Sequence, residues 1–125
     1  MKKLLFLTLL ILSIPVFAAD VYYCVDDDRT GFDIKDNLKQ TNFYPQKFTV
    51  KIDFRNQKIS SDQIWYSSDI RQHCFSNSTV LYCLNEVGTA FSINESNLRY
   101  YFADLYNKTD TIQDPAIAHG ICEKF

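Results

Sequence analysis

Four cysteines, Cys24, Cys74, Cys83 and Cys122, all follow an apolar leader, and no other feature of this chain limits its folding as strongly. An even count in a short exported chain reads as two disulfides, for which three connectivities are open. The spacing favours Cys24–Cys122 and Cys74–Cys83. The first pair would clasp the two ends of the chain. The second pair flanks Ser76-Asn77-Ser78-Thr79, and a hairpin centred between Ser78 and Thr79 sets those two cysteines opposite each other. A metal site built from His73, Cys74, Cys83, His119 and Cys122 is the competing reading. It lacks any CxxC pair, and His119-x-x-Cys122 alone is a weak signature.

The leader supplies the oxidising compartment that such bridges need. Met1-Lys2-Lys3 is basic, Leu4 to Phe17 is almost wholly apolar, and Val16-Phe17-Ala18 suits cleavage after Ala18. Residues 1–18 are thus expected to be a signal peptide and residues 19–125 a single β domain, periplasmic or secreted. As a membrane anchor the uncharged run is short, about 16 residues where a spanning helix needs about 20. Removing Lys2 and Lys3 from 13 basic residues leaves 11 against 15 acidic, a net charge of −4. Nucleic acid and anionic membrane both require a basic footprint, so neither is expected as a partner.

Between the cysteines the hydrophobic period is two. Phe48, Val50, Ile52 and Phe54 share one face, while Lys47, Thr49, Lys51, Asp53 and Arg55 share the other, the pattern of a half-buried antiparallel strand. Val21–Val25, Val80–Leu84, Thr89–Ile93, Leu98–Leu105 and Ala116–Phe125 read as further strands. Phe32 and Ile34 suggest a hairpin partner for the first strand. The stretches 33–42 and 60–72 fit either a strand or a helical turn. With three glycines for six or more turns, the eight asparagines are expected to supply most left-handed positions. The predicted fold is all-β: a small antiparallel meander barrel or sandwich stapled by two disulfides, its first and last strands adjacent.

Candidate sites are few. Asp26-Asp27-Asp28-Arg29-Thr30-Gly31 puts acids at the first and third positions of a calcium-loop pattern, which makes Asp26 and Asp28 the metal candidates. Asn37 occupies the position of the bidentate Glu, and no helices flank the loop, so a solvated hairpin tip is the expected form. His119 shares its parity with Ile117 and Ile121 and is expected as a neutral, hydrogen-bonded side chain of an apolar inner face. The catalytic alternative, a small hydrolase using His119, requires a nucleophile and an orienting carboxylate beside it. Trp65-Tyr66 and Tyr100-Tyr101 place aromatics on both faces of their segments, so one of each pair must face outward or enter a pocket. Trp65, Tyr66, Tyr101 and His119 are therefore the binding candidates. No GxSxG, HExxH, P-loop or GxGxxG motif occurs, and no cofactor is expected. Three sequons, at Asn77, Asn94 and Asn107, mark turn-prone loops.

The chain resembles small exported bacterial proteins of unassigned function. The likeness rests on Tyr22-Tyr23-Cys24 with Gly31-Phe32, the Phe48–Phe54 strand, Leu81–Asn85 with Phe91–Asn94, and the ending Gly120–Phe125. It implies no activity, cofactor or catalytic residue. At the level of fold the chain also resembles periplasmic lysozyme inhibitors, disulfide-clasped β-barrels whose inhibitory loop has no counterpart here. The expected function is non-catalytic binding of a small ligand, glycan or protein; inhibition of a secreted enzyme is the second expectation, and hydrolysis through His119 the third.

Overall fold

A computed structural model describes residues 19–61, 72–105 and 114–125. The signal-peptide reading of residues 1–18 lies outside this range. Among the described residues, nine strands form one antiparallel sheet: β1 (Asp20–Asp33), β2 (Lys39–Asn42), β3 (Lys47–Asp53), β4 (Lys58–Ser60), β5 (Gln72–Asn77), β6 (Val80–Asn85), β7 (Thr89–Asn94), β8 (Arg99–Asp104) and β9 (Ala116–Lys124). The spatial order is β4-β3-β1-β9-β8-β7-β6-β5, with β2 also paired to β1, and the sheet is nearly closed into a barrel. No helix among the described residues is long and apolar enough to cross a membrane.

The meander β5 to β9 returns the chain to β1, where Cys24 lies opposite Cys122 in register and is bonded to it across a sequence separation of 98. Closing a loop of that size contributes about 5 kcal/mol in the chain-entropy account. At the far end of the sheet, the Ser78-Thr79 turn sets Cys74 opposite Cys83, and these are bonded too. Both bridges match the pairing expected from spacing, and paired cysteines are the mark of an oxidising compartment.

The first strand departs from expectation. Asp26–Gly31 is not a hairpin tip: β1 continues through it, pairing with β9 from Tyr22 to Gly31. A bulge between Asp26 and Asp28 absorbs the three acids without ending the strand. The residues of 33–42 divide into a turn and β2, which pairs back onto the far half of β1. Left-handed backbone is also distributed otherwise than expected. Among the described residues Asn37 is joined by Leu38, Gln57, Ser78, Leu98 and Gly88. Hairpin register imposes these positions. Leu98, for example, donates its N–H to Asn94 O at 2.8 Å and accepts at its own carbonyl from Cys122 N at 2.9 Å. Two ladder-end hydrogen bonds offset the roughly 1–2 kcal/mol that a side chain costs there.

The core is packed, not hollow. Phe48, Val50, Ile52, Leu81, Phe91, Ile93, Tyr100 and Phe102 fill it together with the Cys24–Cys122 bridge. Tyr100, with no exposed surface, stacks on Phe91 at 5.6 Å between centroids and meets Phe48 edge-on at 5.4 Å. Its ring crosses the space in front of β9.

Candidate functional site

Among the described residues the interior contains one buried ionic cluster. In a regular strand, residues i and i+3 point to opposite faces. The bulge in β1 shifts this parity, so Asp26 and Arg29 both point inward and pair at 2.7 Å, Arg29 Nε donating to Asp26 Oδ2. The same carboxylate accepts from Gln46 N at 2.8 Å and from Tyr100 Oη at 2.5 Å. Burial first, then the hydrogen bond to Asp26, pushes the Tyr100 phenol well above its ordinary value, because ionising it would put a second negative charge beside Asp26. Arg29 also lies over the Phe102 ring, 5.2 Å from its centroid. Every oxygen of Asp26 is therefore engaged by the protein itself. Asp28 sits on the other face of β1, accepting from Arg29 N at 2.9 Å. The two calcium candidates do not converge on a common point.

The outer wall over β1, β9 and β8 is chemically different. Ile117, His119 and Ile121 all project from β9 to solvent, with Ile117 59 % and Ile121 41 % exposed. This corrects the reading of His119 as an inner-face residue. The inward positions of β9 are instead Ala116, Ala118, Gly120 and Cys122. The cause is space. A Cβ on Gly120 would meet Val25 O and, at 2.7 Å, Tyr100 Oη. Large β9 residues have no room inside and are forced outward.

Around them stand Tyr101, 63 % exposed and in register with His119, then Phe32 and Leu105. The Tyr101 and His119 rings are 6.3 Å apart. A small charged edge borders this patch: Asp27 Oδ2 lies 3.5 Å from Arg99 Nη1 and 3.8 Å from His119 Nδ1. A cleft of about 210 Å³ opens at the other end, walled by Thr30, Phe32, Gln40, Leu105, Pro115 and Ile117. Single surface apolar residues are ordinary; here Phe32, Leu105, Ile117 and Ile121 are exposed on the same side of the sheet as Tyr101.

Two of the four expected binding residues, Tyr101 and His119, are thus brought together. Trp65 and Tyr66 lie outside the described residues. A base at His119 would need a hydrogen-bonded acid, and Asp27, at 3.8 Å, is beyond hydrogen-bond length. Ile117, Ile121, Phe32 and Leu105 were not anticipated as surface groups. The signal was available in the alternate positions Ala116, Ala118 and Gly120, whose shared small size identifies the face that must pass close to something else. Comparison of the chain with family models, curated proteins and solved structures finds no match.

Proposed function

We propose that this chain is an exported, non-catalytic interaction module, periplasmic or secreted, that docks a protein partner on the outer wall of β1, β9 and β8. Its leader-like residues 1–18 and its two disulfides support the location. One observation carries the functional reading: β9 turns its small residues inward and Ile117, Ile121 and His119 outward, beside Tyr101. A rigid, doubly bridged barrel holds this apolar surface in place, so little order is lost when it is covered.

The shape of the wall favours a protein over a small ligand. On this wall the apolar cleft of about 210 Å³ falls below the range of about 300–1,000 Å³ usual for small-molecule sites. It is of a size to take one apolar side chain, the anchor geometry of protein interfaces. Tyr101 adds an aromatic surface with a polar tip, a residue type enriched in such contacts.

The test compares the oxidised protein with an Ile117→Ser, Tyr101→Ser variant by chemical cross-linking in extract of the exporting compartment. A discrete partner captured by the parent and lost from the variant, with both proteins unfolding at the same urea concentration, is the expected result. Identical capture by the two proteins, or none by either, would overturn the proposal.

A further inference from the structure

Both bridges join residues that face each other across paired strands, yet they differ in access. Cys24 and Cys122 tie two central strands of the sheet and are 0 % and 2 % exposed. Cys83 is 1 % exposed, but its partner Cys74 is only partly buried. Cys74 lies on β5, the last strand of the sheet order, and among the described residues β5 pairs with β6 alone. Together with Ile59 and Ser60 of β4, Cys74 lines a cavity of about 670 Å³. Lys51, Lys58 and His73 line the same cavity. Asp53 is its one carboxylate among the described residues, and this group already accepts from Asn56 N at 2.9 Å and Asn56 Nδ2 at 2.8 Å. The walls therefore favour an incoming anion, and of the four cysteines only Cys74 presents appreciable surface to it.

Thiol–disulfide exchange begins with a thiolate reaching one sulfur of the bridge, so exposure separates labile bridges from permanent ones. From this asymmetry we infer that Cys74–Cys83 is a thiol-exchange site for a dithiol reductant, while Cys24–Cys122 is a permanent clasp. The first thiol of the reductant loses its proton and attacks Cys74 Sγ. The Cys74–Cys83 bond breaks, and its electron pair leaves on Cys83 Sγ, which takes up a proton. The second thiol of the reductant then loses its proton, attacks its own half of the mixed disulfide and releases Cys74, which is protonated in turn. The dithiol is oxidised to its disulfide, and the bridge gains two electrons and two protons. The fold survives this step. Cys74–Cys83 spans a sequence separation of 9 against 98 for the clasp, so it removes less entropy from the unfolded chain. The register pairs from Gln72↔Asn85 to Asn77↔Val80, and the stacked Phe75 and Tyr82 rings 5.3 Å apart, hold β5 on β6 without it. The Cys83 thiol stays in the core as a small apolar group. The site does not depend on the outer wall of β1, β9 and β8.

Time-resolved reduction of the oxidised protein with dithiothreitol tests it. Samples are quenched in acid, unfolded, alkylated and mapped by mass. Cys74 and Cys83 are expected to become free at least about tenfold sooner than Cys24 and Cys122, in a protein whose circular dichroism is unchanged. Two variants test the direction of attack. Cys83→Ala leaves Cys74 as a thiol, which should take up glutathione from its disulfide at least about tenfold faster than Cys83 does in Cys74→Ala. Release of both bridges at one rate, or of Cys24–Cys122 first, would overturn the inference. Loss of the β-sheet spectrum on release of Cys74–Cys83, or equal uptake of glutathione by the two folded variants, would do the same.

Discussion

Strands β3 and β9 flank β1 and share the same hydrophobic alternation, yet they resolve it in opposite directions. In β3 the large residues Phe48, Val50 and Ile52 point inward, and Lys47, Thr49 and Lys51 point out or to the margin. In β9 the small residues Ala116, Ala118, Gly120 and Cys122 point inward, while Ile117, His119 and Ile121 meet solvent. Hydrophobicity alone would orient both strands with their isoleucines inside. What separates them is the occupant of the space they face. β3 contributes its own aromatic ring to the core; β9 confronts a space already crossed by Tyr100. Packing density leaves little freedom there. Apolar surface displaced from the interior in this way becomes a binding resource on the exterior.

Substitutions on the two strands should therefore differ in size and in kind. The largest loss is expected for Phe48→Ala, about 3–5 kcal/mol by urea unfolding, because a fully buried ring is replaced by a cavity. Gly120→Ala should follow at about 1–3 kcal/mol, since the added methyl must displace Val25 O or Tyr100 Oη. A Gly120→Ala protein as stable as the parent would show that Tyr100 does not set the orientation of β9. Alkaline titration sharpens the same point. The folded Tyr100 phenol titrates above its unfolded value, so its contribution is complete below about pH 10 and is lost as the pH rises further. The melting temperature should fall above that pH, and Tyr100→Phe, though less stable at neutral pH, should have a shallower decline. A parallel decline in both proteins would remove Tyr100 as the cause. The smallest effect on stability belongs to the outer wall: Ile117→Ser should change unfolding by no more than about 0.5 kcal/mol while abolishing partner capture.

How much of this could be read in advance depended on whether a signal was local. The Cys74–Cys83 hairpin is written in the residues around Ser78-Thr79, and the alternation of β3 is written in Phe48–Phe54. The clasp at Cys24–Cys122 followed from an even cysteine count and their places near the two ends. The three consecutive acids at Asp26–Asp28 misled, because their composition matches a solvated turn. Only the bulge, stabilised by the β1–β9 pairing, turns Asp26 and Arg29 onto one face. His119 misled for a related reason. Its two isoleucine neighbours have the character of an inner face; the small Ala116, Ala118 and Gly120 record that the opposite face passes close to something, but not that the neighbour is Tyr100.

The cysteine pairing, the all-β class and the adjacency of first and last strands were determined by the amino-acid sequence, because each depends on spacing and period along the chain. The buried Asp26–Arg29–Tyr100 cluster and the outward face of β9 were decided by tertiary structure alone. Each of these depends on which side chains, distant in sequence, compete for the same volume, and that competition exists only once the sheet has curved round on itself.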